Sequence, residues 1–257
     1  MHLPKRLFVI ASVFGASLCV LPNDASVGGA HEPIPEEWGM LTGANTFRPE
    51  TPGATKGTLT VDKNGASIYS IPLFVVPGTA GMQPVFALAY NSQSNAGIAG
   101  YGWSLKGIST ITRGRKTLLI DGMAGAVNFD RNDQFYLDGE RLVYMGGAPH
   151  GYSGAEYRME HEIFSRIIAQ GEAGAGPASF KVWTRDGRLI EYGDTEPSRL
   201  RANSADHPLE VQTWAVSRVS DACGNYMNFV YEKYQADGEQ YLIRIDYTGN
   251  INAGDAP

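Results

Sequence analysis

The side chains best placed by type and spacing to do chemistry are glycine-flanked serines, a short Asp/Asn run and a pair of alternating carboxylates. Gly102-Trp103-Ser104-Leu105-Lys106 approaches the Gly-x-Ser-x-Gly turn that exposes a nucleophilic serine, but Lys106 stands where the last glycine is required. Gly151-Tyr152-Ser153-Gly154-Ala155 fails at the same position. Both read as turns beside strands. Asp130, Asn132 and Asp133 offer the hard oxygen ligands calcium prefers, yet a calcium loop needs a ligand at Gln134 and a glycine at Phe135. That run reads better as a hairpin turn. His2, His31, His150, His161 and His207 show no close ligand spacing, so no zinc site is expected. Glu160-His161-Glu162 puts two carboxylates on one strand face, where they are ordinarily solvated. The 4 Trp and 13 Tyr could line a sugar-binding groove, but on alternating strands they are expected to form core and cross-strand ladders. No catalytic, cofactor-binding or metal-ligating residue is assigned.

The elements that must hold these residues are hairpins. Leu59 and Val61 alternate with polar residues, Asn64-Gly65 makes a turn, and Tyr69, Ile71 and Leu73 alternate again. Asn-Gly suits a tight hairpin because both residues tolerate positive φ. Pro77-Gly78 marks another turn before Phe86, Leu88 and Tyr90. Phe135 and Leu137 lead into Asp138-Gly139 and out to Leu142 and Tyr144; Phe180 and Val182 lead into Asp186-Gly187 and out to Ile190 and Tyr192. Trp214 and Val216 precede a turn at Asp221–Asn225, followed by Met227, Phe229 and Tyr231. Tyr157–Ile168 alternates at Tyr157, Met159, His161 and Ile163 but also carries helical spacing at Ile163, Phe164, Ile167 and Ile168; strand is preferred. The fold class expected is all-β, successive antiparallel hairpins forming a curved sheet, with at most one short helix, placed near Tyr157–Ile168.

The ends read differently. Lys5 and Arg6 precede an apolar run from Leu7 to Leu21, too short to span a membrane and followed by small residues, which is the pattern of a secretory signal peptide over residues 1–25. Cys19 raises lipoprotein processing as an alternative, against which stands the bulky Leu18. Residues 26–56, rich in Pro, Gly, Ala and Thr, read as an extended arm or linker, and 57–257 as the β domain. Cleavage leaves Cys223 as the only cysteine, so the exported chain relies on its core rather than on an intrachain disulfide. A net charge of -6 argues against a nucleic-acid partner, and no second apolar run is long enough for a stable membrane span.

Ala66-Ser67-Ile68-Tyr69-Ser70-Ile71-Pro72-Leu73 is followed by Pro77-Gly78-Thr79-Ala80-Gly81-Met82-Gln83-Pro84, Tyr90-Asn91-Ser92, Gly100-Tyr101-Gly102-Trp103-Ser104-Leu105 and Ile111-Thr112-Arg113. This ordered string resembles the N-terminal region of the plasmid virulence protein B family and of the B components of insecticidal toxin complexes, which are similar to the YD-repeat (RHS) family. The resemblance covers about residues 57–250. It implies export by bacteria and a β-rich region contributing to a hollow shell, with a structural rather than enzymatic role. Longer members continue into a propeller, further YD repeats and toxin domains, so a chain stopping at Pro257 reads as truncated. The plasmid virulence protein carries a C-terminal ADP-ribosyltransferase, which uses an Arg, a Ser-Thr-Ser strand and Glu-x-Glu. Glu160-His161-Glu162 matches the last and Ser109-Thr110 part of the second, but Ile111 replaces the second serine and the Glu-x-Glu lies inside an N-terminal-region motif. Catalysis is therefore not expected there. The partners implied are downstream toxin-complex or YD-repeat segments, or a second copy paired along the strand Tyr241–Tyr247 at Leu242, Ile243 and Ile245, unless Arg244 and Asp246 guard that edge.

Overall fold

Hairpin chemistry builds the molecule. The computed structural model describes residues 56–257, with 98, 162 and 255 excepted; the signal-peptide reading and nearly all of the arm fall outside these. First come β1 (Thr58–Val61), β2 (Ser67–Pro72), β3 (Ala87–Asn91), the two-residue pair β4 (Ala96–Gly97) and β5 (Gly100–Tyr101), and β6 (Trp103–Lys106). Strands β1, β2, β3 and β6 join in that order as a small antiparallel sheet. Next are β7 (Thr110–Gly114), β8 (Gln134–Leu137), β9 (Glu140–Gly147), β10 (Ala155–Met159), β11 (Arg166–Glu172) and β12 (Pro177–Trp183). The chain ends through β13 (Leu189–Tyr192), β14 (Arg199–Arg201), β15 (Val211–Ser220), β16 (Asn225–Tyr234) and β17 (Glu239–Asn250). The all-β reading holds, and residues 57–257 form one compact unit.

Strands β7 to β13 pair each with the next, and β15 then closes the path. Its first half pairs with β7 (Trp214 opposite Ile111) and its second half with β13 (Val219 opposite Ile190). The curved sheet is thus an eight-strand ring, a size whose interior side chains just fill. Every other residue points inward: Ile111, Phe135 and Leu137, Tyr157, Ile167 and Ala169, Phe180 and Val182, Tyr192 and Trp214 are all buried. Phe135 meets Tyr157, Phe180 and Trp214 edge-on at 5.7, 5.2 and 5.6 Å between ring centres, the geometry favoured by the ring quadrupole. The Trp214 indole N–H donates to the Ala178 carbonyl at 3.1 Å. Residues Trp214 to Ser217 are buried without a break, because the β16–β17 hairpin adds Met227, Phe229 and Tyr231 to the same core.

Turn chemistry sets the hairpins but not always as expected. Asp138 and Gly139 both take positive φ (51° and 85°), a two-residue turn between Leu137 and Glu140. Asp138 tolerates it because its carboxylate accepts from the Thr110 N–H (2.8 Å) and the Ser109 hydroxyl (2.6 Å). Asn64-Gly65 and Asp186-Gly187 are not such turns. Each belongs to a longer loop closed from Asp62 to Ala66 or Thr184 to Arg188, with only the glycine at positive φ, and Asp221–Asn225 repeats that design. Asp62 Oδ1 accepts from the N–H groups of Asn64 and Ala66, and Asp221 Oδ1 from those of Cys223 and Asn225. The first side chain of each loop thereby does what a tight turn would do. The strand preference for Tyr157–Ile168 holds at both ends, in β10 and β11, while Ile163 and Phe164 lie exposed in the connection. The helix expected there is instead α1 (Leu118–Asp121), one turn on the β7–β8 connection.

Candidate functional site

One end of the ring is sealed by charge. Ile111 and Arg113 share the inward face of β7, so the guanidinium enters the core, where Phe135 and Trp214 flank it at 5.7 and 5.8 Å. It donates to the carbonyls of Val211 (2.7 Å), Asp130 (2.7 Å) and Ala175 (3.0 Å) and to Asp133 Oδ2 (3.1 Å). Burial lowers the pKa of Arg113, and the Asp133 carboxylate opposes that shift. Gly176 makes room, since a Cβ there would stand 2.0 Å from the guanidinium. Asp133 Oδ1 accepts from the Asn128 N–H at 3.0 Å. Beside this pair, His150 Nε2 lies 2.9 Å from the Asp133 carbonyl and Nδ1 lies 3.2 Å from the Tyr157 hydroxyl, which also accepts from the Gly151 N–H. Burial lowers the His150 pKa and pushes the Tyr157 phenol up to about 12. A neutral imidazole protonated on Nε2 satisfies every contact. The arrangement ties β7, β8, β10 and the loops over them; it presents no reacting group to solvent.

The outer face of β8 and β9 carries the other polar cluster. An open depression of ≈ 460 Å³ is bordered by Ile120, Tyr136, Asp138, Glu140, Glu160 and His161. Arg141 grips Asp121 with both terminal nitrogens, Nη1 to Oδ2 at 2.8 Å, and Asp121 also accepts from the Thr117 N–H at 2.7 Å. The hydrogen bonds from Arg141 hold the Asp121 carboxyl at a pKa of about 2. Glu140 Oε1 accepts from the His161 backbone N–H (2.7 Å) and lies 3.0 Å from its Nδ1.

The residues singled out from sequence mostly do structural work. Ser104 donates to the Ala89 carbonyl (3.3 Å) and Ser153 accepts from the Gly171 N–H (2.9 Å), both bonds to backbone groups. Ser109 is bonded to Asp138 and lies 2.8 Å from the buried Tyr192 hydroxyl. Glu160 borders the depression, and Glu162 lies outside the described residues. Asp130 accepts from Asn132, and Asp133 is the partner of Arg113; among the described residues no group of three or more His, Cys, Asp or Glu converges as metal ligands. His207 stacks near Phe129 at 5.4 Å, while His2 and His31 are outside the described residues. Cys223 is exposed at its hairpin tip. Among the described residues no helix is long and apolar enough to cross a membrane. Arg113, a buried structural charge, stands two residues after Ile111 on one strand face, which is the signal by which the sequence could have shown it.

β17 ends its sheet. It pairs with β16 from Asn225 opposite Asn250 to Tyr234 opposite Glu239, and its other edge carries no strand among the described residues. Arg244 and Asp246, the possible guards, pair with each other at 2.9 Å. Two residues apart on a strand, they share a face and do not project along the edge.

The family model of SpvB, the Salmonella virulence plasmid 65kDa B protein, matches residues 61–246. Among solved structures, the chain is similar to the crystal structure of TcdB2-TccC3 at TM-score 0.61 and 21% identity, covering 75% of this chain and 10% of that one. It is similar to the Tc holotoxin pore of Photorhabdus luminescens at TM-score 0.59 and 21% identity, covering 76% and 10%. It is also similar to the N-terminal domain of effector protein SpvB from Salmonella typhimurium strain LT2, at TM-score 0.51 and 20% identity over 69% and 64%. The chain therefore spans about a tenth of the length of the toxin-complex chains it matches. No curated protein matches it.

Proposed function

This chain belongs to the SpvB family, and from that membership we propose that it is a non-enzymatic scaffold of an exported, virulence-associated toxin-like protein. Residues 1–25 act as the secretory signal, 26–56 as an arm, and 57–257 as a piece of shell wall. Its partners are downstream toxin-complex or YD-repeat segments, or a second copy, added as a strand to β17. The observation that carries this reading is the edge of β17, twelve residues long, which carries no further strand among the described residues while Leu242 and Ile245 pack against the core. An edge of that length offers a row of N–H and C=O groups to an incoming strand. The structural use of Ser104, Ser109, Ser153 and Asp133 supports a role in contacts over one in bond-making.

Two measurements test it. The purified full chain, incubated with NAD, is expected to release nicotinamide only at the uncatalysed rate; sustained enzyme-dependent release overturns the scaffold reading in favour of an ADP-ribosyltransferase. Mass spectrometry of the exported protein is expected to find a mature start near Ser26 or His31, and an exported chain that retains Met1 overturns the signal-peptide assignment.

A further inference from the structure

The turn α1 displays apolar side chains to solvent: Leu118, Leu119, Ile120 and Met123 are 69%, 96%, 51% and 58% exposed. Large exposed apolar side chains gathered on one short turn are the kind of feature that marks a contact surface. The turn is held firmly. Asp121 N–H donates to the Thr117 carbonyl (2.8 Å), Gly122 N–H to that of Leu118 (3.1 Å), and Lys116 and Gly125 exchange two backbone bonds across its base. Arg141 on β9 clamps the Asp121 side chain. A surface already ordered before contact loses little entropy on binding.

Beside it lies the depression bordered by Asp138, Glu140 and Glu160. The one arginine there, Arg141, is neutralised by Asp121, His161 leans on Glu140, and Lys116, at the base of the turn, acts on Asp121. The balance facing the depression is negative. We propose that the α1 turn and this acidic depression form a docking surface for a segment of a partner protein in which large apolar side chains alternate with lysine or arginine. The apolar residues meet Leu119 and Ile120, and the cations enter the depression. Charge complementarity sets which partner binds, and the same carboxylates repel an anionic membrane.

The test uses the full chain and a short fluorescein-labelled peptide of alternating leucine and lysine, followed by fluorescence anisotropy. Saturable binding is expected, weakened about tenfold or more by Leu119→Glu and a few-fold by Glu160→Gln. Leu209→Glu, at a residue 55% exposed on the β14–β15 loop, is expected to leave it unchanged. A peptide with glutamate in place of lysine is expected to bind at least about tenfold more weakly. Absence of binding, equal binding by the glutamate peptide, or equal loss from Leu119→Glu and Leu209→Glu overturns the proposal. So does binding to phosphatidylserine vesicles, lost in Leu119→Glu, with no binding to either peptide.

Discussion

Replacing Arg113 by methionine keeps an unbranched apolar stem, shortens the side chain by two atoms and removes its charge and donors. Asp133, whose side chain is 2% exposed, is then left as an unpaired carboxylate in the core. Breaking a buried pair in this way costs about 3–5 kcal/mol. Of the three carbonyls that lose their donor, only the bond to Val211 is fully buried; that orphan adds about 1 kcal/mol, the low end of the usual range, while water can reach those of Asp130 and Ala175. The expected destabilisation is about 4–6 kcal/mol, or a melting temperature lower by roughly 10–20 °C for a domain of this size. Urea unfolding followed by tryptophan fluorescence measures it, since Trp214 is wholly buried beside the guanidinium. Adding Asp133→Asn removes the stranded charge and is expected to recover about 1–2 kcal/mol. A cost below about 1 kcal/mol for the single variant, or a double variant no more stable than it, would refute the account of a charge-sealed ring.

Other outcomes follow from the same geometry. Ile243→Lys, at a residue 37% exposed on β17, is expected to weaken concentration-dependent self-association in sedimentation velocity; a wild-type chain that stays monomeric at high concentration counts against the open-edge reading. The Asp121 carboxyl, with its folded pKa depressed to about 2, contributes stability that is present above about pH 4 and lost as pH falls toward 2. Its worth is about 1–2 kcal/mol, and Asp121→Asn is expected to flatten that part of a pH-dependent unfolding curve. Gly139→Val is expected to cost about 1–2 kcal/mol through the backbone alone, because no atom lies within 4 Å of the added Cβ; thermal unfolding measures it.

Local grammar was legible because it is written in adjacent residues. Asp138-Gly139 carries its two-residue turn in its own chemistry, and the alternation of Phe135 with Leu137 or Phe180 with Val182 declares which side faces inward. The turns at Asn64-Gly65 and Asp186-Gly187 were legible as turns, but not the length of their loops, because closure depends on Asp62 and Thr184, residues upstream of the dipeptide. The closing pairs of β15 were not legible, since nothing near Trp214 names Ile111 as its opposite. The turn α1 escaped because Leu118-Leu119-Ile120 is too short to show a period, and its stability rests on Arg141, twenty positions away. Arg113 hid for another reason: among polar neighbours it reads as a solvated residue until the ring shows what surrounds it.

The closing pairs also order events in time. Thr112 meets Thr213 across roughly a hundred intervening positions, so the ring is a late, non-local product of folding, slow by its contact order. Until β15 is available, β7 to β13 can exist only as an open sheet with Phe135, Tyr157 and Phe180 uncovered. Such an intermediate is prone to aggregate and suited to capture by a chaperone. Under the export proposed above, delayed closure keeps the polypeptide threadable until β15 (Val211–Ser220) emerges, and completion of the ring then favours retention on the far side.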